Sequence, residues 1–189
     1  NRSGNGSVAV GTRALGNGNN FSYNIAIGDS AMYGNNANEN VAIGTFSMLF
    51  NNTGTQNTTL GNYTLQSINT GSGNVAVGHQ TLPSVSSGDG NTALGYNAGQ
   101  SVLTGDNNTL IGYGTNVSAS GMINGSAIGY RAIVGQSNSM ILGSINGLNG
   151  ATADTRVGIG TPTPDSTFSV ADKFLVGNSG TVQYDNTVP

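Results

Sequence analysis

Asn91-Thr92-Ala93-Leu94-Gly95 is the stretch that decides the fold, because it recurs with small changes along most of the chain. The best copies are residues 24–28, 40–44, 57–61, 74–78 and 108–112, the copies without the asparagine are 7–11 and 125–129, and the weakest are 139–143 and 156–160. Successive closing glycines are 17 residues apart, except for one step of 16 and one of 14. A fixed period this short predicts a stacked repeat architecture.

The repeat has two structural signatures, a closing glycine and an opening asparagine. The glycine permits a positive φ or a close backbone approach, and the asparagine suits the corner before a strand. The residues concerned are Gly11, Gly28, Gly44, Gly61, Gly78, Gly95, Gly112 and Gly129, with Asn24, Asn40, Asn57, Asn74, Asn91 and Asn108.

Each copy alternates in side-chain size. Val75 and Val77 are large and apolar, for example, and Ala76 between them is small. Period-two alternation predicts a short strand with one large-residue face and one small-residue face. We expect the large Val and Ile side chains to lie inside. A small residue and often a larger one follow each closing glycine, as in Ala31-Met32 and Thr64-Leu65, and predict a second short strand.

Two short strands and two turns fill 17 residues, so one repeat predicts one coil of an all-β, parallel β-roll solenoid. Parallel coils stack about 4.8 Å apart through backbone hydrogen bonds. Such a roll is thin, and we expect its small-residue faces and its ends to be uncovered. Burial of these surfaces favours oligomerisation about the long axis, without setting the number of copies.

The composition excludes several classes of protein. The chain has 189 residues, of which only 13 are charged, and it contains 31 glycines, 27 asparagines and no cysteine. A strict period with alternating Val and Ile argues against disorder. The net charge of −3 and five scattered basic residues argue against a nucleic-acid surface. The sequence contains no apolar run of about 18 residues, so it predicts no transmembrane helix. Because the chain begins inside the repeat, we expect it to be a piece of a longer protein.

The recurring Asn-Val-Ala-Ile-Gly motif, as at residues 40–44, resembles the head repeats of trimeric autotransporter adhesins over roughly residues 5–143. This resemblance implies a left-handed parallel β-roll with three chains side by side. The period of 17 is longer than is common in that family, and neither a coiled-coil stalk nor a membrane barrel is recognisable.

The C-terminal part resembles tail-fibre-type surface proteins. The similarity lies in Arg156-Val-Gly-Ile-Gly-Thr-Pro-Thr-Pro164 and in the segments 168–170 and 174–182. It implies a trimeric β neck in an elongated extracellular fibre, on a bacterial cell surface or a phage-like tail. We therefore predict a β-roll over 1–143, a linker or cap over 144–155, and a β neck over 156–189 with strands around Phe168, Phe174 and Val182.

Four side chains are candidates for binding. Tyr96, Tyr113 and Tyr130 each follow a closing glycine, and His79 has the same position one coil earlier. In a stacked roll they would form an exposed aromatic column that could bind sugars or partner proteins. The simpler interpretation is ring stacking between coils that stabilises the sheet. The apolar run from Phe46 to Phe50 is interpreted as extra packing between chains or coils, and a ligand-binding patch is the alternative.

No other residue pattern indicates chemistry. Glu39, Asp89 and Asp106 lie in loops, but each loop offers a single carboxylate, whereas calcium takes six to eight oxygen ligands. One histidine and no cysteine argue against zinc, and no nucleophile motif accompanies His79. We expect no metal site, no cofactor and no enzyme activity.

The leading functional prediction is an extracellular trimeric fibre segment that acts in adhesion or receptor binding, with a host surface protein or a glycan as partner. The alternative is a purely structural spacer. A third class, an ice- or crystal-binding solenoid, needs ordered threonine rows. Thr12 and Thr45 share their position with Asp29, Asn62 and His79, which counts against it.

Overall fold

The computed structural model describes residues 5–19, 21–159, 162–164 and 168–170, and in these residues the protein is all-β without a helix. The strands are β1 (Val8–Val10), β2 (Ile25–Ile27), β3 (Gly34–Asn35), β4 (Val41–Ile43), β5 (Phe50–Asn51), β6 (Thr58–Leu60), β7 (Val75–Val77), β8 (Thr92–Leu94), β9 (Thr109–Ile111), β10 (Asn116–Val117), β11 (Gly125–Ile128), β12 (Ile133–Val134), β13 (Ser139–Leu142), β14 (Val157–Ile159) and β15 (Phe168–Val170). Residues Asn1–Asp154 and Thr155–Pro189 form two compact units.

The first unit is a parallel β-solenoid of about eight turns. One nine-stranded sheet runs through it in the order β1-β2-β4-β6-β7-β8-β9-β11-β13, and each strand comes from a successive copy of the repeat. All of its pairings are parallel and keep equivalent repeat positions opposite each other, as in Ala26 with Ala42 and Val75 with Thr92. The predicted coil and its period are confirmed.

The predicted orientation of the strands is wrong, because the large side chains face outward and the small ones face the core. In each strand of this sheet from β2 to β11, the third residue of the pentapeptide copy is completely buried, as Ala76 and Ala93 are, whereas Val75 and Leu94 are 36% and 48% exposed. The interior is too narrow for two large columns. Met32, Met48, Leu65 and Leu82 already project into it from the opposite side of the coil, and all four are fully buried. The small-residue face is therefore covered, contrary to expectation.

The second strand predicted after each closing glycine is mostly absent from the described coils. Ala31-Met32 and Thr64-Leu65 lie in turns, and only the two-residue pairs β3–β5 and β10–β12 form there. Met32 has φ 50° and Leu65 has φ 42°, and this left-handed conformation interrupts a strand. Hydrogen bonds between coils continue nevertheless, for example from the N–H of Met32 to the carbonyl of Ser47 at 3.0 Å.

A ladder of buried asparagines fixes the corner before each strand. In the ladder, Asn74 Oδ1 accepts from the backbone N–H of Asn91 at 2.9 Å and from its Nδ2 at 3.0 Å. Asn74 Nδ2 donates in turn to Asn57 Oδ1 at 3.0 Å and to the carbonyl of Gly88 at 2.8 Å. The bonds from backbone N–H groups to asparagine Oδ1 atoms begin at the side chain of Asn24 and end at the N–H of Gly125. Each amide therefore joins two coils and also holds the following loop.

The segment after β13 is a compact set of turns. The N–H of Gly147 donates to the carbonyl of Ala151 at 2.9 Å, and Asp154 Oδ1 accepts from the N–H of Asn146 at 2.8 Å. Asn149 Nδ2 donates to the carbonyl of Gly114, which attaches these turns to the roll. The predicted limits of the linker stay a prediction.

The second unit contains the parallel pair of β14 and β15, with Val157 opposite Phe168. Within it, Arg156 Nη1 donates to the carbonyl of Pro164 at 3.3 Å. The further neck strands predicted around Phe174 and Val182 lie outside the described residues.

One position in the core shows a compensated exchange of volume. Gly99 stands where other coils have Met32, Met48, Leu65 or Leu82, and Leu110 stands where neighbouring strands have Ala93 or Ala76. A Cβ on Gly99 would collide with the Leu82 side chain and would lie 3.2 Å from Leu110 Cδ1. Leu110 therefore fills the space that the missing side chain leaves.

Because of this exchange, we expect Gly99→Leu and Leu110→Ala each to lower the free energy of unfolding by about 3 kcal/mol, through overpacking and a cavity respectively. The double variant should lie within about 1 kcal/mol of the parent protein, because it restores the arrangement of the other coils. Chemical denaturation measures all three. Gly99→Leu with Leu65→Ala is the control, and additive losses are expected there. Additive losses in the Gly99/Leu110 pair would contradict the compensation.

Candidate functional site

The outward face of the nine-stranded sheet carries an unbroken aliphatic row that the sequence analysis had placed inside. It comprises the fourth residue of every pentapeptide copy in that sheet: Val10, Ile27, Ile43, Leu60, Val77, Leu94, Ile111, Ile128 and Leu142. We call these nine residues the aliphatic row. Every member is exposed or half-buried, up to 55% for Val10. The neighbouring column on the same face is mixed, with Thr58 and Thr92 among its members.

The aromatic column is the second surface feature. His79, Tyr96, Tyr113 and Tyr130 stack with ring centroids 5.3–5.4 Å apart and ring planes within 20° of parallel. Each tyrosine is about half exposed. The rings follow directly after the closing glycines, so the coil-to-coil spacing of the backbone brings them into face-to-face contact.

The column is longer than the sequence pattern indicated. Tyr63 packs edge-on against His79 at 5.6 Å, and Phe46 lies 5.4 Å from Tyr63. Both residues stand one position later in their coils than the other four rings. In those coils the earlier position is polar, and Asn62 Oδ1 accepts from the N–H of Thr45 at 2.8 Å. A search for one fixed repeat position therefore misses these two rings.

Stacking determines which part of the column a ligand can reach. The faces of Tyr96 and Tyr113 are turned toward neighbouring rings, so that the ring edges face the solvent. Each aromatic pair contributes roughly 0.5–1.5 kcal/mol beyond area burial. This is the geometry of stacking between coils, and a binding role for these rings stays a prediction. Within the column, the Nδ1 atom of His79 is buried without a hydrogen-bond partner.

The acidic loop residues are used within the protein. Asp89 Oδ1 accepts from the N–H of Ser72 at 2.7 Å, and Asp106 Oδ1 accepts from the N–H of Asp89 at 2.9 Å. Glu39 Oε2 accepts from Gln56 Nε2 at 3.1 Å. Among the described residues, no group of three or more His, Cys, Asp or Glu side chains is arranged to hold a metal ion. These carboxylates link one coil to the next.

Comparisons with family models, with curated proteins and with solved structures find no match. In the part of the chain that the structure describes, no helix is long and apolar enough to cross a bilayer. Function must therefore be inferred from the aliphatic row, the aromatic column and the surfaces beside them.

Proposed function

We propose that this chain is a segment of an extracellular homotrimeric fibre that attaches to a surface by multivalent contact. The observation that carries the proposal is the aliphatic row. Nine aliphatic side chains point away from the core of their own chain. Eight steps of about 4.8 Å separate the nine strands, so the strip is about 38 Å long. A contiguous apolar strip of this kind marks a protein interface.

The occupant of this strip is a second and a third copy of the same chain. A repeat that places Ile27, Leu60 and Leu94 in one straight row offers a self-complementary surface along its full length. The copy number of three and a left-handed coil are what the resemblance to trimeric autotransporter heads implies. A neck formed by residues 156–189 would hold the three chains in register.

Attachment follows from repetition in this proposal. Three chains present three copies of every outer surface, including the tyrosine edges of the aromatic column. Linked weak sites can together bind 10²–10⁴ times more tightly than one site when the geometry allows simultaneous contact. The segment would belong to a bacterial cell surface or to a phage-like tail, and its partner would be a host surface protein or a glycan.

The mass of the protein in solution tests the assembly. We expect light scattering to give three times the chain mass, and Leu94→Lys to give the mass of one chain at the same micromolar concentration. Three like charges brought together at a desolvated interface oppose association by several kcal/mol, whereas in one free chain the lysine extends into water. A parent protein with the mass of one or two chains would overturn the trimer.

Leu103→Lys is the matched control for this experiment. Leu103 is 42% exposed and Leu94 is 48% exposed, but Leu103 lies outside the sheet. We expect Leu103→Lys to keep the mass of three chains. Far-ultraviolet circular dichroism of both variants should retain the β signal, which separates loss of assembly from loss of fold.

Attachment is tested separately from assembly. The trimer and the Leu94→Lys monomer are coupled to beads at equal chain number and applied to cultured mammalian cells and to an immobilised glycan panel. We expect retention of the trimer beads and release of the monomer beads. If neither the trimer beads nor the monomer beads are retained on any surface, the alternative function, a structural spacer or fibre shaft, is favoured.

A further inference from the structure

A polar cleft opens beside the aromatic column, at the place where the turns after β13 attach to the roll. It has a volume of about 240 Å³, and its walls include Asn97, Gln100, Tyr113, Asn116, Arg131 and Asn149. This is just below the roughly 300–1,000 Å³ of sites for drug-sized ligands. The cleft therefore suits one ring-sized polar group.

Arg131 gives the cleft its charge. It is the only charged side chain in the wall, and among the described residues no carboxylate forms an ion pair with it. Its guanidinium lies 5.8 Å from the ring centroid of Tyr113 and 5.4 Å from that of Tyr130. Nη1 donates to the carbonyls of Asn149, at 3.3 Å, and Gly150. The cation is thus held in a fixed place by neutral groups.

The other cleft walls supply side-chain amides. Gln100 Nε2 donates one N–H to the carbonyl of Gln80 at 3.0 Å, and Asn116 Nδ2 donates one N–H to Ser101 Oγ at 2.9 Å. Each of these amides has a second N–H, and no described group accepts from it. Asn97 Oδ1 is buried without a hydrogen-bond partner. Sugar hydroxyls both donate and accept, so they match a wall of amides better than an apolar ligand does.

We propose that this cleft binds one carboxylate-bearing sugar residue, with the carboxylate on Arg131 and the ring hydroxyls on the amides of Gln100 and Asn116. A guanidinium matches the planar geometry of a carboxylate and forms charge-assisted hydrogen bonds with it. The proposal deepens the attachment function and rests on it, because a single site of this size binds weakly. Three copies on a fibre would provide the affinity that one cleft lacks.

Saturation-transfer NMR on the assembled protein tests the cleft with two matched probes. Methyl glucuronide and methyl glucoside share the same ring and differ only in the carboxylate. We expect the glucuronide to bind about tenfold more tightly or better, the increment of one charge-assisted hydrogen bond. This advantage should shrink severalfold when sodium chloride is raised from about 0.05 to about 0.5 M, because the site is open to solvent.

Variants identify the residue responsible. We expect Arg131→Gln to abolish the preference for the glucuronide. Arg13→Gln, the control, should leave it unchanged, since Arg13 has the same repeat position near Tyr33 but pairs with Asp29 at 3.7 Å. Gln100→Glu places a carboxylate of the same charge as the probe at the cleft and should weaken binding of the glucuronide more than binding of the glucoside, which lowers the preference between them. This second variant keeps the test decisive if Arg131→Gln disturbs the turns.

Equal binding of the two glycosides, or a preference that survives in Arg131→Gln, would overturn the proposal. Inorganic phosphate that competes as well as the glucuronide would reduce the cleft to a plain anion site and overturn the sugar assignment. If the protein is a trimer but shows no preference for the glucuronide, the cleft proposal is wrong and the fibre proposal stands. If the parent protein is not a trimer, the fibre proposal is wrong, whichever glycoside binds more tightly.

Discussion

Replacement of Gly61 by alanine is expected to lower the free energy of unfolding by about 4 kcal/mol, because two penalties add at this residue. Gly61 has φ +134°, a conformation that side chains rarely adopt and that costs about 1–3 kcal/mol. A Cβ there would collide with the carbonyl oxygen of Gly78 and lie 2.6 Å from its carbonyl carbon. Overpacking against a backbone that cannot move adds about 1–3 kcal/mol.

The collision is a property of the stack as a whole. The closing glycine of the next coil stands in the way of a Cβ at every closing glycine from Gly11 to Gly112. The N–H of Gly78 also donates to the carbonyl of Leu60 at 2.8 Å, so the coils cannot separate there without losing hydrogen bonds. The glycine column thus sets the close approach of successive coils.

Chemical denaturation at equal protein concentration measures this effect, with Gly135→Ala as the control. A Cβ on Gly135 would meet no atom within 4 Å, and its φ lies outside the left-handed region. We expect the control to change the free energy of unfolding by less than about 0.5 kcal/mol. A similar loss in both variants, or a loss below about 1 kcal/mol in Gly61→Ala, would contradict the role of the glycine column.

The period and the alternation in the sequence were sufficient to predict the parallel solenoid. Both are properties of single residues at fixed spacing, such as Gly61 and Gly78, and stacking simply repeats them. Alternation defines two faces of a strand but does not say which one lies inside. That choice depends on what occupies the other side of the coil, and Met32 and Leu65 occupy it here. A second column of large residues, four positions after each of the first five closing glycines, was the signal that could have reversed the prediction.

The surface features were predictable to different degrees. Tyr96 and Tyr113 recur at the fixed period, so the ring column followed from the sequence, whereas Tyr63 is displaced by one position and was missed. The cleft at Arg131 could not be predicted, because Asn149 lies outside the repeat and reaches the roll through turns of irregular length. Contacts between repeat and non-repeat residues depend on the folded path of the chain.

Removal of one rung of the asparagine ladder is expected to be as damaging as a blocked glycine. Asn74→Ala leaves the backbone N–H of Asn91 without its acceptor at 2.9 Å and the carbonyl of Gly88 without its donor at 2.8 Å. Asn91 is completely buried, as Asn74 is, so water cannot replace these partners without opening the stack. At about 1–3 kcal/mol for each unpaired buried group, we expect a loss of about 4 kcal/mol.

Denaturation of Asn74→Ala is compared with that of Asn52→Ala, which removes the same amide from an exposed position. The control should change the free energy of unfolding by less than about 0.5 kcal/mol. Comparable stability of the two variants would show that the buried amides are dispensable and that the strand ladder alone holds the coils in register.

Asn74→Asp separates the donor function of the ladder from its acceptor function. The carboxylate can still accept from Asn91, but it brings a charged oxygen against Asn57 Oδ1 and the carbonyl of Gly88. Asn57 Oδ1 keeps only the backbone N–H of residue 74 as a donor, and the carbonyl of Gly88 loses the amide donor. We expect Asn74→Asp to be less stable than Asn74→Ala at neutral pH. The buried carboxyl group is more easily ionised in the unfolded chain, so its destabilising effect is largest at neutral pH and decreases as the pH falls and the group becomes protonated.

Protonation restores a donor to the ladder, because a carboxylic acid has one O–H that can reach Asn57 Oδ1. The stability of Asn74→Asp relative to Asn74→Ala should therefore rise as the pH is lowered from 7 toward about 4, the usual range of an aspartate pKa. Denaturation of both variants at several pH values measures the difference. A difference that does not change with pH would mean that the amide donor is not what holds one coil to the next.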